Sequence, residues 1–199
     1  MRITLLFFAF LLTISCIFSQ NDCFAPIVHD FDPRKMGKEE MQEYFQKLHD
    51  AQQELVGCEA PNFTAKTLPG DTIELHELRG KIVVLNFWFI ACPPCIAELP
   101  GLKQLADEFG AREDVVLLAL ATDEKAALDK FVAKREVGFT ILPETRSVAD
   151  AFRITGYPTT FVLDKEGNVF SVHIGGATNE RQASKLIYKA IQKDIKKNS

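Results

Sequence analysis

The stretch Asn86-Phe87-Trp88-Phe89-Ile90-Ala91-Cys92-Pro93-Pro94-Cys95-Ile96-Ala97-Glu98 decides the fold and the chemistry of this chain. It begins within an apolar run, residues 82–89, and ends in an amphipathic segment. An apolar run without alternation is typical of a central strand covered by helices on both faces. The spacing after the prolines predicts a helix over residues 93–109. The two cysteines therefore lie at a junction between a strand and a helix.

Cys92 is expected at the amino terminus of this helix, where unpaired N–H groups and the helix dipole stabilise a thiolate. Pro93 and Pro94 have no N–H, and their fixed φ suits a first helical turn. The N–H groups of Cys95 and Ile96 are then the first donors available to the Cys92 sulfur. We expect Cys92 to be the exposed nucleophile and Cys95 to be the buried resolving thiol.

Glu98 follows Cys95 by three residues and so lies on the same side of the predicted helix. A carboxyl group close to buried thiols has a raised pKa and can relay protons as the disulfide opens. The alternative is an ordinary first-turn glutamate that the helix dipole favours. The residues alone leave both interpretations open.

A zinc site and an inert structural disulfide are the other uses of such a cysteine pair. Zinc sites usually need two ligand pairs. Cys23 and Cys58 do not form a second pair of the same spacing, and the histidines are scattered at His29, His49, His76 and His173. We therefore expect no bound metal.

Length and charge exclude some classes of function. The chain has 199 residues, of which 47% are hydrophobic and 25% charged, as in a globular domain. Its net charge is -4, and no basic cluster that could neutralise phosphates is present. We expect no nucleic-acid partner.

The amino terminus predicts export. Arg2 is followed by an apolar run over residues 3–14 and then by small residues, the pattern of a secretory signal peptide over residues 1–19 with cleavage after Ser19. The run is short for a membrane anchor. Lipid attachment at Cys16 is the alternative processing. Export to a periplasmic or cell-envelope location would permit disulfides.

The rest of the chain predicts a mixed sheet between helices. An arm and a packing helix (38–56) fill residues 20–56, and Gly57 is a plausible helix stop. Strands are expected at 63–65, 72–75, 115–121, 139–142, 159–163 and 168–172, and helices at 123–136, 147–152 and 179–193. Strands that alternate with helices pair in parallel, whereas the two predicted hairpins add antiparallel strands.

Four segments together resemble the TlpA-like (ResA-like) thioredoxin-fold thiol-disulfide oxidoreductases of bacterial envelopes, within the redoxin (AhpC/TSA) superfamily. They are Ala60-Pro61-Asn62-Phe63 and residues 78–88, 92–100 and 156–164. The resemblance implies an α/β fold, a thioredoxin-like three-layer sandwich over residues 57–199. The helical extension before Gly57 lies outside the matched region.

The resemblance also implies an activity. Cys92 would attack a protein disulfide, Cys95 would resolve the mixed disulfide, and Glu98 would relay protons. No cofactor is expected beyond the redox-active Cys92–Cys95 disulfide. The expected partners are disulfide-containing envelope proteins as substrates and a membrane thiol donor as reductant. The client stays open between an apocytochrome, which would mean a role in cytochrome c biogenesis, another envelope protein and a general pool.

The expected substrate-binding residues are Ala91, Pro93, Tyr157 and Pro158. From the residues alone, Pro158 could simply begin a strand. The family implies a cis Tyr157–Pro158 bond that faces the disulfide, pairs with substrate backbone and keeps metal off the thiols. The family usually has Trp directly before the first cysteine, and Ala91 departs from this pattern. That departure leaves substrate preference open.

Cys23 and Cys58 flank the amino-terminal helix and are the other cysteines left after signal removal. We expect a structural disulfide between them that ties the arm to the thioredoxin-like domain. The family commonly has a polar residue in place of Cys58.

Other functions remain open for the sequence alone. The physiological direction could be oxidation or isomerisation instead of reduction. A peroxidase is disfavoured because the Thr-x-x-Cys environment of a peroxidatic cysteine is absent. A non-enzymatic peptide-binding module with a structural disulfide and a zinc-stabilised scaffold are alternatives from other classes.

Overall fold

The structure, a computed structural model, describes residues 23–24, 37–175 and 180–197. The predicted signal peptide, its cleavage site after Ser19 and Cys16 lie outside the described residues, as does most of the predicted arm. The described elements are, in chain order, α1 (Lys38–Gln53), β1 (Thr64–Lys66), β2 (Thr72–Glu74), a 3-10 helix (Leu75–Leu78), β3 (Ile82–Trp88), α2 (Pro93–Phe109), β4 (Val115–Ala121), α3 (Lys125–Val132), β5 (Thr140–Leu142), α4 (Arg146–Ala151), β6 (Thr159–Leu163), β7 (Val169–Ile174) and α5 (Glu180–Lys197).

Five strands form one mixed sheet in the order β5-β4-β3-β6-β7. β3 pairs in parallel with β4, and β4 pairs in parallel with β5. β6 lies antiparallel to β3, and β7 lies antiparallel to β6. β1 and β2 form a separate antiparallel hairpin. The mixed α/β sheet of a thioredoxin-like fold, predicted from the sequence, is confirmed.

β3 is the middle strand, and all seven of its residues are buried. Its alternate side chains enter the two layers on opposite faces of the sheet. One set packs against α2 and α5, and the other packs against a cluster that contains Phe152 and Phe161. The first set is Ile82, Val84 and Trp88, and the second is Val83, Leu85 and Phe87. This double burial explains why the strand reads as a continuous apolar run.

Phe152 is the centre of the cluster that packs against Val83, Leu85 and Phe87, called the second cluster below. Its ring lies 5.7 Å from that of Phe24, 6.1 Å from Phe63, 5.3 Å from Phe87 and 5.4 Å from Phe161. Three of these four contacts are edge-on, the geometry that aromatic quadrupoles favour. The amino-terminal Phe24, which is partly buried, therefore packs against this core cluster.

The segment after α1 lies along the outer edge of β7. The Gly57 N–H donates to the Val169 carbonyl at 2.8 Å, and the Val169 N–H donates to the Cys58 carbonyl at 2.8 Å. Gly57 has φ of 91°, a conformation that glycine adopts without steric cost. The Gln53 amide nitrogen donates to the Val172 carbonyl at 3.1 Å. These hydrogen bonds occupy N–H and carbonyl groups of β7 that would otherwise be free to pair with another chain.

Two helices are shorter than predicted. α1 ends at Gln53 rather than at residue 56, because residues 54–56 continue as turns that bring buried Leu55 into the second cluster. α3 covers only Lys125–Val132 of the predicted 123–136. Asp123 stays outside this helix, and its carboxylate accepts a hydrogen bond from another loop. The 3-10 helix after β2 was not predicted.

Apolar residues of the last helix, α5, face the sheet. Ile187, Ala190 and Ile191 are buried, whereas Leu186 is 44% exposed. The buried positions follow spacings of three and four residues through Asp194, and Leu186 lies at the margin of this stripe. Within residues 37–175 and 180–197, no helix combines the length and apolar character needed to cross a membrane.

Candidate active site

The cysteine pair lies where β3 ends and α2 begins. Cys92 is the N-cap of α2, in an extended backbone conformation, and Pro93 and Pro94 occupy the first helical positions. Cys92 and Cys95 form a disulfide with their Cα atoms 5.3 Å apart. β3 and β4 run parallel, so their carboxyl ends meet at this same edge of the sheet. The strand-to-helix junction predicted from the sequence therefore places both sulfurs at a helix amino terminus.

One backbone donor points at the Cys92 sulfur. The Cys95 N–H donates to Cys92 Sγ at 3.2 Å. The Ile96 N–H, expected as a second donor, instead donates to the Cys92 carbonyl at 3.1 Å. That bond is the first regular i to i−4 bond of the helix. The Ile96 N–H is therefore not available to the sulfur. The stabilisation of a Cys92 thiolate by backbone donors therefore depends on the Cys95 amide.

Both sulfurs are buried in the disulfide form. Cys92 is 3% exposed and Cys95 is 2% exposed. The expectation of an exposed Cys92 was wrong for this state, because its side chain turns inward to meet Cys95 in the apolar cluster below α2. The flanking Ala91 and Pro93 are exposed. A substrate would therefore meet backbone and small side chains around Cys92 before it reaches the sulfur.

Glu98 is buried on the same side of α2 as Cys95 and Leu99. Its position is in the second turn, since α2 begins at Pro93, and the first turn contains no acidic residue. The interpretation as an ordinary first-turn glutamate was therefore wrong. A carboxyl group in an apolar layer is costly to bury in its charged form. Its place three residues after Cys95 puts both side chains on the same side of α2.

The Tyr157–Pro158 peptide bond is cis. Pro158 is buried and directly precedes β6, whose first residue pairs with Phe87 near the end of β3. The Pro158 carbonyl accepts a bond from the Gly175 N–H at 2.8 Å. This proline therefore lies at the same end of the sheet as the disulfide.

Tyr157 is half-buried, and its ring meets that of Phe89 edge-on at 5.2 Å. Burial raises the pKa of the Tyr157 hydroxyl, while the nearby Arg146 lowers it and Asp150 raises it. The hydroxyl therefore stays neutral at neutral pH. Phe89, which the sequence interpretation did not single out, contributes an aromatic side chain to this region, where Ala91 contributes none.

Asp123 was also missed as a site residue. It lies two residues after the end of β4, and its Oδ2 accepts a hydrogen bond of 2.8 Å from the Ile90 N–H in the loop that leads to Cys92. Its position was the signal that could have identified it. A polar residue at the carboxyl end of a strand parallel to β3 lies next to the end of β3.

A polar row crosses the sheet below the site. Asn86 pairs in register with Thr160, and Thr160 pairs with His173 on the edge strand β7. The Asn86 side-chain amide donates to Thr160 Oγ1 at 2.9 Å. His173 Nε2 lies 3.3 Å from Ser171 Oγ. Burial lowers the pKa of His173 below its ordinary value.

Cys23 and Cys58 are also joined by a disulfide, with Cα atoms 6.1 Å apart. Cys58 is bonded through its backbone to Val169, at the start of β7, whereas the cis proline adjoins the end of β7. The two disulfides therefore lie at opposite ends of the sheet. Among the described residues, no group of three or more His, Cys, Asp or Glu side chains is arranged to hold a metal ion.

Known proteins are similar to this chain in sequence and in fold. Residues 56–172 match the AhpC/TSA family. The thioredoxin-like protein YneN of Bacillus subtilis is 33% identical over 132 residues, which cover 65% of this chain and 78% of YneN. The thiol-disulfide oxidoreductase ResA of Halalkalibacterium halodurans is 35% identical over 125 residues, which cover 62% of this chain and 71% of ResA.

A solved structure of a secreted Mycobacterium tuberculosis disulfide oxidoreductase, described as homologous to E. coli DsbE, superposes with a TM-score of 0.56. Its sequence is 26% identical, and the match covers 66% of this chain and 95% of that one. The structural match therefore takes in nearly the whole of that protein.

The lowered pKa of His173 predicts a pH-dependent stability. Below about pH 6.5 the unfolded chain takes up a proton at this histidine before the folded protein does, so the free energy of unfolding falls as the pH falls. The variant H173Q lacks this titrating side chain. Its free energy of unfolding should therefore fall less than that of the wild type between about pH 7.5 and pH 5. Urea unfolding at both pH values measures the difference. H49Q, at an exposed histidine of α1, is the control and should follow the wild type. An equal loss in H173Q and wild type would contradict the prediction.

Proposed function

This chain belongs to the AhpC/TSA family and is a thioredoxin-like thiol-disulfide oxidoreductase, and we propose that it reduces disulfides of exported proteins through a mixed disulfide at Cys92. The observation that carries the proposal is the position of Cys92 as N-cap of α2, with the Cys95 N–H directed at its sulfur. The family predicted from the sequence is confirmed.

The proposed reaction transfers two electrons in two exchanges. The Cys92 thiolate attacks one sulfur of the substrate disulfide, and the other substrate sulfur leaves as a thiolate. The Cys95 thiol then loses its proton and attacks the Cys92 sulfur, which releases the second substrate thiol and forms the Cys92–Cys95 disulfide. A membrane dithiol donor would return the pair to its reduced form. The direction towards reduction follows from resemblance to the envelope family.

The substrate peptide is proposed to lie across Ala91, Pro93, Tyr157 and Pro158. The Pro158 carbonyl is already engaged by Gly175. Within the described part of the chain, the backbone N–H and carbonyl of Tyr157 make no hydrogen bond. These two groups are therefore the ones that an extended peptide would pair with beside the disulfide.

Glu98 is proposed to accept the proton of Cys95 during the second exchange. Support comes from its burial on the same face of α2, one turn after Cys95. A buried carboxyl group can exchange a proton with a thiol in a region that bulk water reaches poorly.

The location is proposed to be the periplasm or cell envelope, after export by the predicted signal peptide. The secreted oxidoreductase from Mycobacterium tuberculosis with the matching fold supports this proposal. Attachment through a lipid at Cys16 is the alternative. Disulfide-containing envelope proteins are the proposed substrates.

The Cys23–Cys58 disulfide is proposed to be structural. It joins Cys58, at the edge of β7, to the segment that places Phe24 against Phe152. Both contacts serve packing, and Cys58 itself lies at the end of the sheet away from the cis proline. On this proposal, residues 20–56 form an extension that the bridge ties to the domain over residues 57–199.

The variant C95A should trap substrates. Without Cys95 the second exchange cannot occur, so mixed disulfides should accumulate on Cys92 in the native envelope. Non-reducing electrophoresis and mass spectrometry of the captured proteins measure this. C92S/C95A is the matched control and should capture nothing. If no Cys92-dependent adducts form, the proposed mechanism is wrong.

The variant E98Q should slow the second exchange by about a hundredfold, since it removes the proton acceptor. Trp88 is the single tryptophan and lies in the same apolar cluster as both cysteines, so its fluorescence can follow the exchange. D107N, at an exposed position of α2, is the control. A rate in E98Q equal to that of D107N would show that Glu98 does not relay the proton.

The double variant C23S/C58S should lose stability but keep its activity. The bridge closes a loop of 35 residues, for which chain entropy suggests about 4 kcal/mol of unfolding free energy. Urea unfolding and reduction of a model protein disulfide measure the two effects. Unchanged stability, or a loss of activity in a protein that remains folded, would count against a purely structural bridge.

A further inference from the structure

We infer that Asp123 is a positioning residue that holds the turn carrying Cys92 in its reactive orientation. This inference rests on the function proposed above. It concerns a side chain outside α2 and outside the cis-proline loop.

The turn before Cys92 is short, and among the described residues one side chain, that of Asp123, bonds to its backbone. The Cys92 N–H donates to the Phe89 carbonyl at 3.2 Å, so Ile90 and Ala91 form the middle of the turn. The Ile90 N–H points away from this bond and donates to Asp123 Oδ2 at 2.8 Å. A hydrogen bond to a carboxylate is stronger than one between neutral groups. Asp123 therefore fixes the orientation of the Phe89–Ile90 peptide, whose carbonyl accepts the Cys92 N–H.

Asp123 is itself held from a second loop. Its carbonyl accepts a bond of 3.0 Å from the N–H of Glu144, whose φ is 57°. The neighbouring Thr145 donates through both its N–H and its hydroxyl to the Ala121 carbonyl, each at 2.9 Å. The left-handed backbone at Glu144 thus places two consecutive residues against the end of β4. The backbone that carries the Asp123 carboxylate is therefore held at the end of β4.

These bonds join three loops at one end of the sheet. The loops follow β3, β4 and β5, whose carboxyl ends meet because the strands are parallel. The Thr122 N–H also donates to the Trp88 carbonyl at 3.3 Å, which extends the β3–β4 pairing to the last residue before the turn. Two residues after Trp88, the bond from the Ile90 N–H to the Asp123 carboxylate again links the chain after β3 to the chain after β4.

The consequence reaches the sulfur through the backbone. Cys92 Sγ accepts from the Cys95 N–H only if the turn delivers Cys92 to the N-cap position. Loss of the Asp123 acceptor would let the turn leave this geometry for part of the time. The thiolate would then lose its backbone donor, and Cys92 would become less reactive.

The test is the pH dependence of Cys92 alkylation in the reduced full-length protein, followed by mass spectrometry of the Cys92 peptide. In D123A the midpoint should move to higher pH, and the rate at neutral pH should fall about threefold to tenfold, as expected for the loss of one hydrogen bond. In D123N the amide oxygen still accepts from Ile90, so the profile should remain close to that of the wild type.

D164A is the matched control. The Asp164 carboxylate also accepts a backbone N–H, that of Asn168 at 2.8 Å, but in the hairpin between β6 and β7 at the opposite end of the sheet. D164A should leave the Cys92 profile unchanged whatever it does to stability. If D123A behaves like D164A, or if D123N is impaired as much as D123A, the inference is overturned. If D123A does not fold, the comparison of D123N with wild type decides by the same criterion. A wild-type Cys92 no more reactive than a free thiol would instead overturn the proposed function.

Discussion

The hydrogen bond from the Cys95 N–H to the Cys92 sulfur is the interaction on which the site depends. Two prolines occupy the first positions of α2 and contribute no donors, so the first amide of the helix is the one directed at the sulfur. The surrounding layer is apolar, and a low local dielectric strengthens such a bond. This layer covers both sulfurs of the disulfide, whereas the neighbouring residues Ala91 and Pro93 are exposed.

The rest of the fold holds this helix terminus in place and leaves it approachable from one end. β3 is buried on both faces between β4 and β6, so its last residue is a rigid starting point for the turn. The loops after β4 and β5 support the turn, and the cis peptide before β6 adjoins it on the other side. The amino-terminal extension is bonded along the edge of β7, and Cys58 of its Cys23–Cys58 bridge lies at the opposite end of the sheet.

Most of the fold could be predicted because its signals are local. The apolar run of β3, the double proline of α2 and the alternation of strands with helices each depend on neighbouring residues, and the bounds of α2 and β4 agree with the prediction. The errors arise where tertiary contacts decide. Ile96 donates to a carbonyl rather than to sulfur, and Cys92 is buried because it bonds Cys95. Asp123 could not be assigned from helical periodicity, since its partner Ile90 is 33 residues away in the chain.

The central claim is that the terminus of α2 makes Cys92 an activated thiol. A thiolate absorbance titration of the reduced protein, compared with that of the variant C92S, isolates the contribution of Cys92. The account predicts a midpoint for Cys92 below the value of about 8.5 for a free cysteine, because the Cys95 amide and the helix dipole favour the thiolate. A midpoint at or above about 8.5 would contradict it, since burial would then outweigh the helix terminus.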